Sequence, residues 1–314
     1  MKNSLLKNLL KIIVPSAILV FLFYSVIKSW SLLKENIIAG NPFILISALA
    51  VLVVTFIGGA FFWQKILSNF GINIRFLEAL RIFTISNFGR FVPGVVVHYL
   101  ARIYMSKKIG IGVKKSAMTV VLEAYYTLTG AVIIGGLGIS SFAKLINLQR
   151  EILLTIYFIL VIIIFVIPPM KIIGYVSRIP FFDKKIKFSS THFNYKRHFF
   201  LCIFSAGLFL LNGIAFYFLS LNFFGLDFRY FWEVSGLFAL SWITGFLTPV
   251  APGGLGVSDL SFVFLLSPLY TLPQASFLVV LYRIGLLLAE GLVFLAVMSF
   301  SKAEVLGNKK NEKS

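Results

Sequence analysis

The sequence contains one cysteine and only three histidines among its 314 residues. A single cysteine, Cys202, excludes an intrachain disulfide, and its place within an apolar run favours a small packed residue over a redox centre. His98, His192 and His198 show no metal-ligand spacing, and no Walker, HExxH or nucleophile-elbow motif is present. We therefore expect no catalytic residue, no metal ion and no cofactor.

Charged residues are also scarce: they make up 13% of the chain, whereas hydrophobic residues make up 59%. A soluble globular domain has roughly 45–50% apolar and about 25% charged residues, so the composition excludes one. The net charge of +18 would suggest a nucleic acid partner in a soluble chain, but here the basic residues fall in short clusters between apolar segments. That distribution is typical of a polytopic membrane protein, and we expect no nucleic acid partner.

A membrane-spanning helix needs about 20 apolar residues. Six segments meet this requirement: 10–28, 43–63, 116–138, 152–169, 199–223 and 274–300. The first of them is longer than a signal-peptide core and lacks a small-residue cleavage motif, so we expect a retained helix. The predicted fold class is an all-α polytopic membrane protein, with one domain over 1–300 in two approximate halves, 10–138 and 152–300. Residues 301–314 are expected to form a disordered cytoplasmic tail.

Two Gly/Pro breaks interrupt the remaining apolar regions. The first, around Asn87 to Gly94, separates half-length segments at 76–88 and 94–106, and the second, Pro252 to Asp259, separates 232–250 from 257–270. A break at membrane depth is tolerated only where it is buried in protein or lines a wet cavity. We predict that each pair of segments forms a re-entrant helical hairpin. Paired breaks in two halves also point to the binding site of a transporter.

The basic residues predict an orientation. With the N-terminus inside, 21 of the 29 lysines and arginines lie in inner segments and five lie in outer ones, which places both termini in the cytoplasm and the protein in the cell membrane. The first hairpin then enters from the cytoplasm and the second from outside, as in an inverted repeat. Glu123 follows Gly94 by 29 residues, and Arg283 follows Gly254 by the same number.

Ionisable side chains within a membrane cost about 2.5–3.5 kcal/mol on insertion scales, so each is a functional hypothesis. Arginine can hold phosphate oxygens through two N–H groups, which lysine cannot. We expect the arginines to bind an anionic headgroup, with Glu123 and Glu290 as counter-charges or as ligands of a cationic headgroup or a proton. The charged candidates are Arg90, Arg102, Glu123, Asp259, Arg283 and Glu290.

The breaks themselves supply backbone groups for binding. A helix that begins near Val257 would present free N–H groups suited to a phosphate or carboxylate. We favour Ser258 as the N-cap of that helix, and Asp259 serves either as a cap or as a charge. The candidate break residues are Pro93, Gly94, Pro252, Gly253, Gly254 and Gly256.

At these residues the sequence resembles the transmembrane region of lysylphosphatidylglycerol synthases, a flippase-like family. The resemblance rests on Pro252 to Val257, followed by Asp259 and Tyr282-Arg283, and on Gly89 to Gly94, and it spans roughly 10–300. Many members have Glu at the position of Asp259, and the version of the first motif seen here often has Lys in place of Val95. Because this chain lacks that lysine, phosphate binding at the first break is left to Arg90 and Arg102.

The resemblance implies movement of a phospholipid or lipid-linked molecule between leaflets. We expect membrane lipids as partners, an anionic or aminoacylated phospholipid above all, and a homo-oligomer is compatible with the sequence. Only 14 residues follow Phe300, so we expect no soluble aminoacyl-transfer domain and no enzyme activity. Two alternatives stay open: an ion-coupled carrier of a small solute, and a membrane-embedded accessory subunit or enzyme of lipid or cell-envelope synthesis.

Overall fold

The computed structural model describes residues 20–38, 40–91, 97–166, 194–248 and 256–311. Over these ranges it is helical without β-strands, so the all-α class is confirmed there. Residues 20–28 are helical, and the helices that follow are α1 (Trp30–Ile38), α2 (Pro42–Ser68), α3 (Phe76–Asn87), α4 (Val97–Lys108), α5 (Val113–Gly135), α6 (Ile139–Leu145), α7 (Arg150–Val166), α8 (Tyr195–Phe224), α9 (Phe231–Leu247), α10 (Val257–Leu265) and α11 (Leu272–Asn311). Short 3₁₀ turns lie at Phe88–Phe91, Gly136–Gly138 and Phe228–Tyr230.

Four helical segments in the described part are long and apolar enough to cross a membrane. They are Pro42–Ser68, Val113–Leu145, Tyr195–Phe224 and Leu272–Ser299, and they coincide with four of the six predicted spans. The predicted span at 152–169 coincides with α7 up to Val166, and both this span and the predicted span at 10–28 lie partly outside the described residues. The last helix continues to Asn311, into the segment 301–314 that was predicted to be a disordered tail.

Local sequence signals explain where two of the long helices begin and end. Helix α2 begins after Asn41, whose side chain accepts a hydrogen bond from the N–H of Phe43 at 2.9 Å, and proline occupies its first position. Helix α8 begins after Asn194, which caps the N–H of Arg197, and ends at Gly225, where φ is 62°. A glycine at this position adopts the left-handed conformation without a Cβ penalty.

Half-length helices flank both breaks. Helices α3 and α4 flank the first, and α9 and α10 flank the second, so each pair lies in the chain between two long helices. The order of long helix, half-helix, break, half-helix and long helix therefore occurs twice, as α2 to α5 and as α8 to α11. The residues at the centres of the breaks, 92–96 and 249–255, lie outside the described part. The binding residues predicted there, Pro93, Gly94, Pro252, Gly253 and Gly254, consequently stay predictions.

The two halves pack together through their long helices. Helix α2 packs against α8 and α11, and α8 also packs against α5 and α9. The largest buried cluster joins α8, α10 and α11, where the ring of Phe216 lies 4.5 Å from that of Phe262 and 5.8 Å from that of Tyr282. Lipid supplies no hydrophobic driving force between helices, so close contacts of this kind hold a membrane bundle together.

Glycine permits the closest of these helix contacts. A Cβ atom added to Gly236 of α9 would lie 2.7 Å from the Cα of Gly138, and one added to Gly138 would lie 2.8 Å from the carbonyl carbon of Gly236. The two backbones therefore meet directly, as small residues allow in membrane proteins.

Gly236→Leu is expected to destabilise the protein by about 1–3 kcal/mol, since the new side chain must separate α9 from the Gly136–Gly138 turn. Thermal unfolding of the detergent-solubilised protein measures the loss. Gly207→Leu is the matched control, because a Cβ atom there meets no heavy atom within 4 Å. Equal losses in the two variants would contradict the contact.

Candidate functional site

A cavity of about 380 Å³ lies between the two halves. Its walls come from α2, α3, α4 and α5 of the first half and from α8, α9, α10 and α11 of the second half. The charged side chains that line it in the described part are Arg90, Glu123, Asp259 and Arg283. The structure thus brings residues predicted separately in each half to one hollow.

The first half contributes a buried ion pair between Arg102 and Glu123. Nη1 of Arg102 lies 2.5 and 2.6 Å from the two carboxylate oxygens of Glu123, and the same guanidinium donates to Oγ of Ser86 at 3.1 Å and to Oδ1 of Asn87 at 2.9 Å. Cζ of Arg102 also lies 4.4 Å from the ring centre of Phe83. Arg102 was predicted to bind a headgroup, but it does not line the cavity. Its guanidinium group is surrounded by Glu123, Ser86, Asn87, Phe83 and Trp63.

The second half contributes a pair between Arg283 and Asp259. Nε of Arg283 donates to Oδ1 of Asp259 at 2.5 Å, and Nη2 donates to Oγ of Ser258 at 2.8 Å. The other carboxylate oxygen of Asp259 accepts the N–H of Gly256 at 3.0 Å. Asp259 therefore caps the start of α10 and holds Arg283 at the same time.

The capping role that the sequence favoured for Ser258 is wrong. Helix α10 begins at Val257, so the N-cap position is Gly256, which has no side chain and a φ of 81°. Ser258 is already the second residue of the helix, and its hydroxyl accepts a hydrogen bond from Arg283 instead. The N–H of Gly256, one of the break residues predicted to bind substrate, donates its hydrogen bond to Asp259.

A third ion pair joins the halves directly. Arg90, in the 3₁₀ turn beside the first break, pairs with Glu290 of α11. Glu290 and Arg283 lie seven residues apart on α11, which places them on one face about 10 Å apart along the helix axis. The last helix therefore holds a partner from the first half and a partner from the second.

The two pairs within the halves correspond in position but have opposite polarity. In the first half the half-helix after the break carries arginine, Arg102, and the next long helix carries the acid, Glu123. In the second half the half-helix carries the acid, Asp259, and the next long helix carries arginine, Arg283. Each half thus supplies one ion pair of its own beside its break, and Arg90 adds a further guanidinium on the side of the first half.

Uncharged polar groups and aromatic rings complete the lining. The hydroxyl of Tyr282 donates to Oδ1 of Asn212 at 2.6 Å, and the amide nitrogen of Asn212 donates to the carbonyl of Leu208. The ring of Trp242 lies 5.3 Å from Phe209 and 5.0 Å from Phe246, and all three side chains line the cavity. From the sequence, Tyr282 was named only as part of the family motif and the other residues were not included, although an asparagine inside the apolar run of α8 was a signal for a polar contact.

The hydrogen-bond donors and acceptors around the cavity suit a polar organic guest. Guanidinium groups, carboxylates, an amide and hydroxyls are present, and His98 adds an imidazole whose Nδ1 has no hydrogen-bond partner within the described residues. Over the same residues, no group of three or more histidine, cysteine or acidic side chains is placed to hold a metal ion.

Comparison with known families identifies the chain. The sequence profile of the lysylphosphatidylglycerol synthase TM region matches residues 8–292. The chain belongs to this family. The suspected resemblance is therefore confirmed, and the lysylphosphatidylglycerol synthase TM region in this protein includes both breaks and all three ion pairs. It is an integral membrane domain, consistent with the apolar helices. A comparison with curated proteins found no match.

Proposed function

We propose that this member of the lysylphosphatidylglycerol synthase TM region family moves a membrane lipid between leaflets, its headgroup crossing through the cavity while its tails stay in the bilayer. The observation that carries the proposal is the cavity itself: both halves line it, and each contributes a charged pair beside a break. Charges are rare inside membranes and mark the paths of substrates. The expected cargo is an anionic or aminoacylated phospholipid.

The proposed topology has six spans and two re-entrant hairpins that enter from opposite sides of the membrane. We place the protein in the cell membrane, with both termini in the cytoplasm. Support comes from the repeated helix order of α2 to α5 and α8 to α11 and from the distribution of basic residues. Alternating access between inverted repeats would then expose the cavity to each leaflet in turn. We propose a transporter and not an enzyme, since translocation needs binding and release but no bond cleavage.

Filling the cavity should slow translocation. Thr127 is half-buried, lines the cavity and donates its hydroxyl to the carbonyl of Glu123 at 2.7 Å. Thr127→Trp is expected to slow lipid movement by about tenfold or more, because an indole occupies a large part of a cavity that must accept a headgroup. Proteoliposomes that contain a fluorescent phospholipid report the rate when a membrane-impermeant reductant is added.

Thr155→Trp is the matched control. Thr155 makes the same hydrogen bond one turn back, to the carbonyl of Glu151 at 2.8 Å, but it is exposed on α7. Its variant should transport at the wild-type rate. If Thr127→Trp also kept that rate while folding normally, the headgroup would have to cross elsewhere.

The cavity volume also favours one alternative, an ion-coupled carrier of a small solute. A volume of about 380 Å³ lies at the lower end of the range for small-molecule pockets, roughly 300–1,000 Å³. A counterflow experiment with proteoliposomes tests this candidate. Uptake of a labelled amino acid or organic phosphate without movement of labelled lipid would favour the solute carrier over lipid translocation.

A further inference from the structure

The charges around the cavity cancel. Two guanidinium groups and two carboxylates line it in the described part of the chain. The two partners that lie behind the lining, Arg102 and Glu290, add one further charge of each sign. The site is therefore neutral as a whole, although it is rich in charge.

The charges are nevertheless not presented evenly. In the first-half pair the side chain of Glu123 is 12% exposed, whereas that of Arg102 is 1% exposed. In the second-half pair Arg283 is 27% exposed and Asp259 only 4%. The pair that joins the halves likewise exposes Arg90 (28%) more than Glu290 (7%). The first-half pair thus turns its carboxylate toward the cavity and the other two pairs turn their guanidinium groups toward it. The cavity therefore has an acidic pole at Glu123 and a basic pole made by Arg283 and Arg90.

A neutral site with two poles discriminates between guests by their charge. A headgroup with net charge loses favourable hydration free energy when it enters the cavity. A site whose own charges already cancel does not compensate for that loss. A headgroup that carries one charge of each sign forms charge-assisted hydrogen bonds at both poles. The rings of Phe209 and Trp242 also line the cavity and can stabilise a cation there by cation–π contact.

We infer that the cavity selects a zwitterionic phospholipid headgroup of zero net charge, with its ammonium group on Glu123 and its phosphate on Arg283. The inference rests on the proposed function for the route that the lipid takes. It replaces a cargo of net negative charge with a zwitterionic one, which some aminoacylated phospholipids also are. Arg90 offers a second guanidinium to the phosphate from the first half. Two sources supply this chemistry: phosphoethanolamine, and phosphoglycerol esterified with an amino acid that has a single amine.

Lipid movement in proteoliposomes tests the selection. Three tail-labelled lipids are compared: phosphatidylethanolamine, alanyl-phosphatidylglycerol and phosphatidylglycerol. The two zwitterions should move about tenfold faster than phosphatidylglycerol, as expected for one charge-assisted hydrogen bond, and a difference between the two zwitterions identifies the source. Equal rates for all three lipids, or a faster rate for phosphatidylglycerol, would overturn the inference.

The double variant Arg102→Gln/Glu123→Gln tests the acidic pole. It removes both members of one pair, so neither charge is left buried alone. The rate for phosphatidylethanolamine should fall to that for phosphatidylglycerol, and a retained preference would place the ammonium elsewhere. If this variant does not fold, the comparison of the three lipids on the wild-type protein still decides the inference.

Calorimetric binding to the detergent-purified protein separates the inference from the proposed function. Glycerophosphoethanolamine should bind about tenfold more tightly than glycerophosphoglycerol. Selective binding without lipid movement would support the site and contradict translocation. Lipid movement without selectivity in either assay would support translocation and overturn the inference. An absence of both lipid movement and selective binding would contradict the proposed function and the inference together.

Discussion

Replacing Arg102 with methionine is expected to lower the free energy of unfolding by about 3–5 kcal/mol, because the change leaves Glu123 in the protein interior without its guanidinium partner. Ser86 and Asn87 also lose the hydrogen bonds that they accept from the guanidinium of Arg102, so their side chains must find other donors. Denaturant unfolding of the protein in detergent micelles, followed by tryptophan fluorescence, measures the loss.

The double variant Arg102→Met/Glu123→Leu should recover most of that stability. Replacing both members of a buried pair with apolar residues of similar size is often neutral or stabilising. Recovery of folding without recovery of zwitterion transport would show that the pair is maintained for binding. Arg229→Met is the control, since Arg229 is 71% exposed and lies 4.0 Å from Asp227; its loss should be about 0–1 kcal/mol. Equal losses for Arg102→Met and Arg229→Met would contradict a specific role for burial.

The sequence predicted the apolar framework well because hydropathy and Gly/Pro content are local properties. The segments at 43–63, 199–223 and 274–300 correspond to α2, α8 and α11, and the half-length segments around the breaks correspond to short helices. Length and composition are sufficient for such predictions, since a span needs about 20 apolar residues.

The charge partners could not be predicted in the same way. Arg90 and Glu290 are 200 residues apart, and Arg102 and Glu123 are 21 apart, so only the tertiary arrangement brings them together. The sequence did indicate that intramembrane charges need partners, but the arginines were expected to be available to phosphate. In the structure Arg102 is instead paired with Glu123 behind the cavity wall. The sequence could not predict this, because helix periodicity alone does not show which polar face of a helix meets a cavity.

The capping prediction failed for a finer reason. Ser258 and Asp259 are adjacent, and a shift of one residue in the helix start decides which of them can cap. Because α10 begins at Val257, the carboxylate of Asp259 reaches back to the N–H of Gly256 and the hydroxyl of Ser258 turns to Arg283. The start near Val257 was predicted from the sequence, but an N-cap residue precedes the first helical residue, so Gly256 occupies that position and neither Ser258 nor Asp259 could.

The largest effect on transport is expected from Arg283→Ala. Its guanidinium is the more exposed member of its pair and donates to Asp259 and Ser258 through two different nitrogens, so it can present remaining N–H groups to a phosphate. Loss of charged hydrogen bonds worth roughly 3 kcal/mol should slow zwitterion movement by about a hundredfold. Initial rates in proteoliposomes, normalised to the folded fraction from size exclusion, give the measurement.

Arg283→Lys separates charge from geometry at the same position. Lysine keeps the positive charge opposite Asp259, so the variant should fold, but a single ammonium group cannot hold Asp259, Ser258 and a phosphate in one plane as a guanidinium does. We expect about tenfold slower movement, between the wild type and Arg283→Ala. Arg229→Ala, at the exposed pair, should keep the wild-type rate. A folded Arg283→Ala protein that moved lipid as fast as Arg229→Ala would show that this guanidinium is not on the transport path. The other member of the second-half pair is Asp259, which cannot replace the positive charge.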